Sequence, residues 1–266
     1  MKKQSRLSAL KETYVKETVK TELKNPVLIE GLPGMGMVGR IAARFLIKQL
    51  GATRFAELYS PHFPYYVLVN KKGSVRLLRA EFFCWKNPKG ESDLVFLIGD
   101  SQAQTIEGQY EVTDRILEFA SKLGVRTIFT IGGYRKEAEE APKVVVVSTS
   151  SELLKRALQA KAIASPPGNP IVGTAGLLLG LAKFKKIDAL CLLGETRGYL
   201  ADPVAAKSVL EVLQRMLGFD VDLKEIDVQI EKSKEIVARM REIEERREKY
   251  AQKMKKSEDE RVTYIS

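Results

Sequence analysis

Three glycines, Gly34, Gly36 and Gly39, stand at the spacing that could cradle a phosphate, in the stretch PVLIEGLPGMGMVGR (residues 26–40). An apolar run of Val27, Leu28 and Ile29 precedes them and an amphipathic segment follows. In that strand–turn–helix setting, G-x-G-x-x-G lets a dinucleotide pyrophosphate approach the backbone and rest on a helix N-terminus. The same chemistry asks for an acid closing the next strand, about 20 residues on, to hold the ribose hydroxyls. The next strand reads RFAELYS. Its acid, Glu57, sits mid-strand, and the run closes on Tyr59-Ser60-Pro61. Pro33, Met35 and Met37 also crowd the loop. The glycines therefore carry two readings: a cofactor loop, or places where strand, turn and helix pack against another backbone.

Other reactive residues are sparse. There is no Walker-type GK[ST] and no G-x-S-x-G elbow. His62 is the single histidine, set in Pro61-His62-Phe63-Pro64, where it reads as a loop or interface residue. Asp100, Glu195 and Asp202 end apolar runs and could serve metal or acid–base chemistry only if they converged in a cleft. Asp202 precedes Pro203 and reads as a helix cap. Glu195 stands near Arg197, which a local ion pair would explain. Tyr134, Arg135 and Lys136 follow Gly132-Gly133 and could hold an anion or touch another subunit. Cys84 and Cys191 lie in apolar segments outside any CxxC and read as buried free thiols. No catalytic residue, metal or cofactor is expected from this set.

The elements that must position these residues alternate. Strands are expected at residues 26–30, 55–59, 94–98, 127–131, 143–147 and 189–193, and helices at 38–50, 110–123, 151–160, 174–181 and 203–217. Parallel strand pairs need such crossovers. The pattern thus predicts a single α/β domain whose mostly parallel sheet is flanked by helices. Residues 65–69 and 75–83 read as a hairpin turned at Gly73, an antiparallel portion. Residues 1–25 form an N-terminal arm whose Thr- and Val-rich part favours a strand joining the sheet. Residues 26–222 form the core domain, 223–254 a long, charged, projecting helix, and 255–266 a flexible tail.

Composition excludes several classes. The 266 residues are 44% hydrophobic and 29% charged, an ordinary globular balance. No apolar run approaches the roughly 20 residues of a membrane span, and the N-terminus lacks the apolar stretch of a secretory signal. A cytoplasmic protein is expected. The net charge of +10 could attract nucleic acid, but basic and acidic residues interleave (EKSKEIVARMREIEERREK), as on solvated helix faces. No nucleic-acid-binding signature is present. Abundant Lys, Arg and Glu with little His and Cys lean towards a thermophile.

Taken in series, the loops resemble one family. The stretches are IEGLPGMGMVGR (29–40), the Gly99–Val125 region with GQYEVTDRILEFASKLGV, IGGY (131–134), GTAGLLLG (173–180), LLGETRGY (192–199) and DPVAAKSVLEVL (202–213). Their order is similar to that of the proteasome assembly chaperone family in its archaeal branch. The resemblance implies a nucleoside-phosphorylase-like fold without the catalytic residues. Gly31, Pro33, Gly34, Gly36, Gly39, Gly132, Gly133, Gly173 and Gly176 then serve as structural loops. It implies an ATP-independent assembly chaperone or activator of the proteasome that works as a homo-oligomer. A tetramer is favoured over a pentamer, with a paralogous protein as a further partner. It also implies docking of C-terminal tails on the α-subunits of the core particle through a terminal hydrophobic-Tyr-X motif. Here the tail offers Val262, Tyr264, Ile265 and Ser266, its tyrosine one position earlier than that motif. The alternative is a nucleotide- or phosphate-binding α/β enzyme using Gly34, Gly36 and Gly39.

Overall fold

The computed structural model describes residues 11–89, 91–136 and 142–262. The chain divides into two units, one ending at Leu223 and one starting at Lys224.

In the first unit, β1 (Tyr14–Glu17), β2 (Val27–Gly31), α1 (Val38–Leu50) and β3 (Thr53–Tyr59) come first. Two short strands, β4 (Val67–Val69) and β5 (Val75–Leu77), follow, and then β6 (Ala80–Trp85) and β7 (Leu94–Gly99). After α2 (Ile106–Lys122) come β8 (Thr127–Arg135), β9 (Val144–Ser148), α3 (Ser151–Gln159), β10 (Ile163–Ala164), α4 (Thr174–Ala182), β11 (Asp188–Thr196) and α5 (Pro203–Leu217). Nine strands form one sheet in the order β1-β3-β6-β7-β2-β8-β11-β9-β10.

The four central strands, β7, β2, β8 and β11, run parallel. Their central stretches are apolar and buried, as strands covered on both faces must be. On one face Leu28 and Ile128 share a core with Ile116 of α2 and Leu178 of α4. Helices α1 and α5 pack together on the strands. The expectation of a mostly parallel sheet is corrected here. Pairs β1–β3, β3–β6, β6–β7 and β9–β11 are antiparallel, so the sheet is mixed. The physical reason is connectivity: β8 ends at Arg135 and β9 starts at Val144, a connection shorter than the dozen or so residues that a parallel crossover needs, so the chain reverses direction.

The expected 65–83 hairpin also splits. β4 and β5 pair only with each other, as a two-stranded ribbon, while β6 joins the main sheet. Ion pairing of Arg76 on β5 with Asp100 after β7 ties the ribbon to the sheet. Helix ends follow local chemistry. Thr105 Oγ1 accepts the Gly108 N–H to cap α2. Asp202 accepts the Ala205 N–H to cap α5 ahead of Pro203. Gly51 and Gly218 stop α1 and α5 in the left-handed conformation.

The second unit is one helix, α6 (Lys224–Val262), of 39 residues. It continues past Met254, where the sequence pattern placed its end. Among the described residues no helix is long and apolar enough to cross a membrane.

Candidate functional site

The parallel strands deliver their C-terminal ends to one edge of the sheet, where ligands of open α/β folds are held. A cleft of about 550 Å³ opens there. Glu30, Leu32 and Ile131 line its inner part, and Tyr134, Arg135 and Asn169 also border it.

Gln102, just beyond β7, fastens three loops around this cleft. Its Nε2 donates to the Pro33 carbonyl at 2.7 Å, and its Oε1 accepts the Thr174 N–H at 2.9 Å and the Thr174 hydroxyl at 3.2 Å. Gln109 adds a bond to the Ala103 carbonyl and accepts from the Thr174 hydroxyl. The end of β2, the end of β7 and the start of α4 are thus cross-linked by amide side chains. Sequence reading gave neither glutamine a role.

Most of the singled-out glycines sit where the space for a side chain holds protein. A Cβ on Gly31 would lie 2.3 Å from the Gly39 carbonyl oxygen, and one on Gly39 would lie 2.3 Å from the Ile131 carbonyl oxygen. Gly36 has φ of +60° and would meet Thr196 Oγ1 at 2.8 Å; its own carbonyl accepts the Asp202 N–H. Gly133 would strike the Met35 carbonyl, Gly132 the Leu193 side chain, Gly173 the Gln102 side chain and Gly176 the Ile171 carbonyl. Gly34 is different: a Cβ there would find only the Gln102 amide, at 3.8 Å, and Gly34 lines the cleft. Gly36 and Gly39 thus turn towards protein while Gly34 turns towards the open space. The tail residues Tyr264, Ile265 and Ser266 and the side chain of Val262 lie outside the described residues.

The acids at strand ends go to separate partners. Asp100 pairs with Arg76; burial alone would raise its carboxyl, but the guanidinium and the Arg79 N–H bring it below the ordinary carboxylate range. Glu195 pairs with Lys136 at 2.8 Å and accepts the Lys143 N–H. This ion pair joins the end of β11 to the residue that follows β8. Asp202 caps α5 and accepts the Thr196 hydroxyl at 2.7 Å. His62 lies between Glu111, with 3.1 Å from Nε2 to Oε2, and the Thr105 hydroxyl, 3.1 Å from Nδ1. It fixes the β3–β4 loop onto the start of α2. Cys84 and Cys191 are buried free thiols. Burial pushes the Cys191 thiol up to about 12, which leaves it unreactive as a nucleophile.

Glu30 stands out. It is the one charged residue of β2, 1% exposed, on the same face as Leu28. Register places Thr130 of β8 beside it and Cys191 of β11 beyond, a polar row across an otherwise apolar sheet. Oε1 accepts the Leu32 N–H at 2.8 Å, while Oε2 and the Thr130 hydroxyl have no hydrogen-bond partner. Burial pushes the Glu30 carboxyl up to about 8, against the opposing pull of N–H groups of Leu32 and Ile131. At neutral pH it is mostly a neutral acid. A lone acid inside VLIEG was the signal available in the sequence.

A chain of this length with a helix-covered mixed α/β sheet belongs to a class of many functions, so the fold alone does not assign one. The chain belongs to the PAC2 family, that of the proteasome assembly chaperones, whose model matches residues 28–241. It is similar to a solved Pyrococcus furiosus structure, PbaB, described as an archaeal proteasome activator. The TM-score is 0.83 at 37% identity, over 86% of this chain and 99% of that one. Pyrococcus furiosus PbaA, described as an archaeal homologue of a proteasome-assembly chaperone, matches with TM-score 0.70 at 28% identity, over 86% and 96%. An uncharacterised protein of Methanocaldococcus jannaschii is 36% identical over 91% of this chain and 93% of its own length.

Proposed function

We propose that this protein is a non-catalytic, ATP-independent partner of the proteasome core particle, acting as an assembly chaperone or activator. The likeness to the Pyrococcus proteasome activator over nearly all of that chain is the observation that carries this reading. In it, the crowded glycines 31, 36, 39, 132, 133, 173 and 176 serve backbone packing, which agrees with how little room each leaves for a side chain.

The working form in this proposal is a homo-oligomer, a tetramer. One feature that favours self-association is the ribbon. Val67 pairs across it with Leu77, and Val69 with Val75, all on one face. All four are exposed, as are Tyr65 and Tyr66 beside them. An aliphatic face of this kind on a soluble protein marks a contact surface.

The docking element in this proposal is the C-terminus, with Val262, Tyr264, Ile265 and Ser266 entering pockets between α-subunits. The 39-residue helix that ends at Val262 is about 58 Å long at 1.5 Å per residue. One short peptide binds weakly. Several copies on one oligomer raise avidity by roughly 10²–10⁴.

Deleting residues 261–266 tests the tail. The truncated protein should lose binding to proteasome α-rings in native mass spectrometry while keeping its oligomer mass. Undiminished binding by the truncated form would remove the tail from the mechanism.

A further inference from the structure

Helix α4 carries no charge although one side of it faces water. Thr174–Ala182 holds only Thr, Ala, Gly and Leu. A helix that is apolar all round belongs in an interior. Here one side is covered, with Leu178 and Ala182 in the core. On the other, Leu177 and Leu181 are half-buried. Phe184, three residues further along the same stripe, is 83% exposed. Val172, just ahead of the helix, is 86% exposed.

Helix α2 runs beside α4. Gln109 accepts the Thr174 hydroxyl at the start of α4, and Asp114 pairs with Lys185 past its end. Ile106 and Tyr110, four residues apart on one side of α2, are both exposed and widen the apolar surface. Next around α2 comes a row of exposed acids, Glu107, Asp114 and Glu118. The two helices thus present an apolar face with an acidic border.

The β4–β5 ribbon is the counterpart in shape and charge. Its outward side is aliphatic, and its turn carries Lys71 and Lys72, both exposed. From Tyr65 to Val69 the chain spans about 13 Å at 3.3 Å per residue. From Thr174 to Phe184 the helix rises about 15 Å. Each surface offers on the order of 600 Å² of exposed area, against about 800 Å² per partner in a standard interface. In its own chain the ribbon is fastened by Leu68 on the core and by Arg76 on Asp100, with the aliphatic side outward. The ribbon that covers the helices therefore comes from another molecule.

We infer, resting on the homo-oligomer reading above, that the α2–α4 face receives the β4–β5 ribbon of a second copy of this chain. Lys71 and Lys72 of that ribbon meet the acid row of α2. Ribbon and face are different surfaces, so the contact is head-to-tail, and repeated around an axis it closes a ring. One kind of contact holds every neighbouring pair. Loss of either surface then releases monomers.

The test is native mass spectrometry on the full chain. Val69→Glu spoils the ribbon alone, and Phe184→Glu spoils the helical face alone. Both positions meet water in a lone chain, and circular dichroism checks that both variants fold. Each variant by itself should be monomeric at a concentration where the wild type is an oligomer. Mixed in equal amounts, the two should form a heterodimer and nothing larger. The intact ribbon of one then sits on the intact face of the other, and the two surfaces left over are both spoiled. A Phe184→Glu protein with the wild-type mass overturns the assignment while leaving the homo-oligomer standing. Dimers of either variant alone also overturn it, because they require a second kind of contact. So does a mixture that stays monomeric at the highest soluble concentration. A monomeric wild type overturns this docking and the oligomer reading together, and the tail truncation tests proteasome binding on its own.

Discussion

The carbonyl oxygen of Gly39, on the first turn of α1, lies 2.3 Å from where a Cβ on Gly31 would stand, at the end of β2. Helix and strand touch backbone to backbone, and Gly39 repeats the contact on the other side, against the Ile131 carbonyl. Neither partner can yield as a flexible side chain would. Gly31→Ala and Gly39→Ala should each destabilise the protein by about 1–3 kcal/mol, the range for overpacking. Gly180 on α4 is the control. It has a helical backbone with nothing within 4 Å of an added Cβ. Gly180→Ala should stabilise by about 0.5–1 kcal/mol, because Ala loses less backbone freedom than Gly in a helix. Urea unfolding of the three variants reads this directly, and equal effects at all three sites would contradict the packing account.

Glu30 predicts a pH dependence of stability with a definite sign. Its carboxyl moves from 4.5 to about 8 on folding, through burial. Between those values the folded state keeps a proton that the unfolded state has released. Stability therefore falls as pH rises through this window and levels off above about 8. The full span is on the order of 5 kcal/mol. Glu30→Gln has no proton to lose there, so its advantage over the wild type should grow steadily from pH 5 to pH 8. Denaturant midpoints at several pH values measure it. Parallel pH profiles would mean that Glu30 is ionised in the folded protein.

How far these features could be read from the sequence depends on range. The central strands were plain because Val27-Leu28-Ile29 and Leu94-Val95-Phe96 are apolar on both faces. The Asp202 cap was plain because Asp-Pro is a local signal. Strand direction was less accessible: β9 opposes β11 through pairings set by the whole topology, not by its own VVVVS. Glu195 illustrates the same limit, since its partner Lys136 is 59 positions away while Arg197 is two. The glycine loop shows a motif that is correct as a string and incomplete as chemistry. Its spacing holds, but what fills the space beside Gly36 comes from Thr196 on another strand. Glu30 was visible as an anomaly, while its unpartnered oxygen and the cleft above it needed three dimensions.

Asp202 carries two bonds at once. Oδ1 accepts the Ala205 N–H at 2.9 Å and Oδ2 accepts the Thr196 hydroxyl at 2.7 Å. The first caps α5 and the second ties that cap to the end of β11. Asp202→Ala should therefore cost more than an isolated cap, about 2 kcal/mol against the typical 1. Thr196→Val should cost about 1 kcal/mol by itself. In the double variant the losses should be less than additive, since both substitutions break the Thr196–Asp202 bond. Strict additivity in urea unfolding would show that the two contacts act independently.

The β4–β5 ribbon yields the sharpest statement about assembly. Leu68 turns inward, half-buried against the core, and Arg76 is held by Asp100. The opposite face of the same strands, with Val67, Val69, Val75 and Leu77, stands in solvent. Val69 is 68% exposed, so a charge there meets water in a lone chain and costs the fold almost nothing. In a subunit interface the same charge would be desolvated without a partner, at a cost of several kcal/mol per contact. Val69→Glu should accordingly leave the unfolding midpoint of the dissociated chain unchanged while shifting native mass from oligomer to monomer. Val69→Ala should shift it less. A Val69→Glu protein whose native mass equals that of the wild type would remove the ribbon from the proposed self-association.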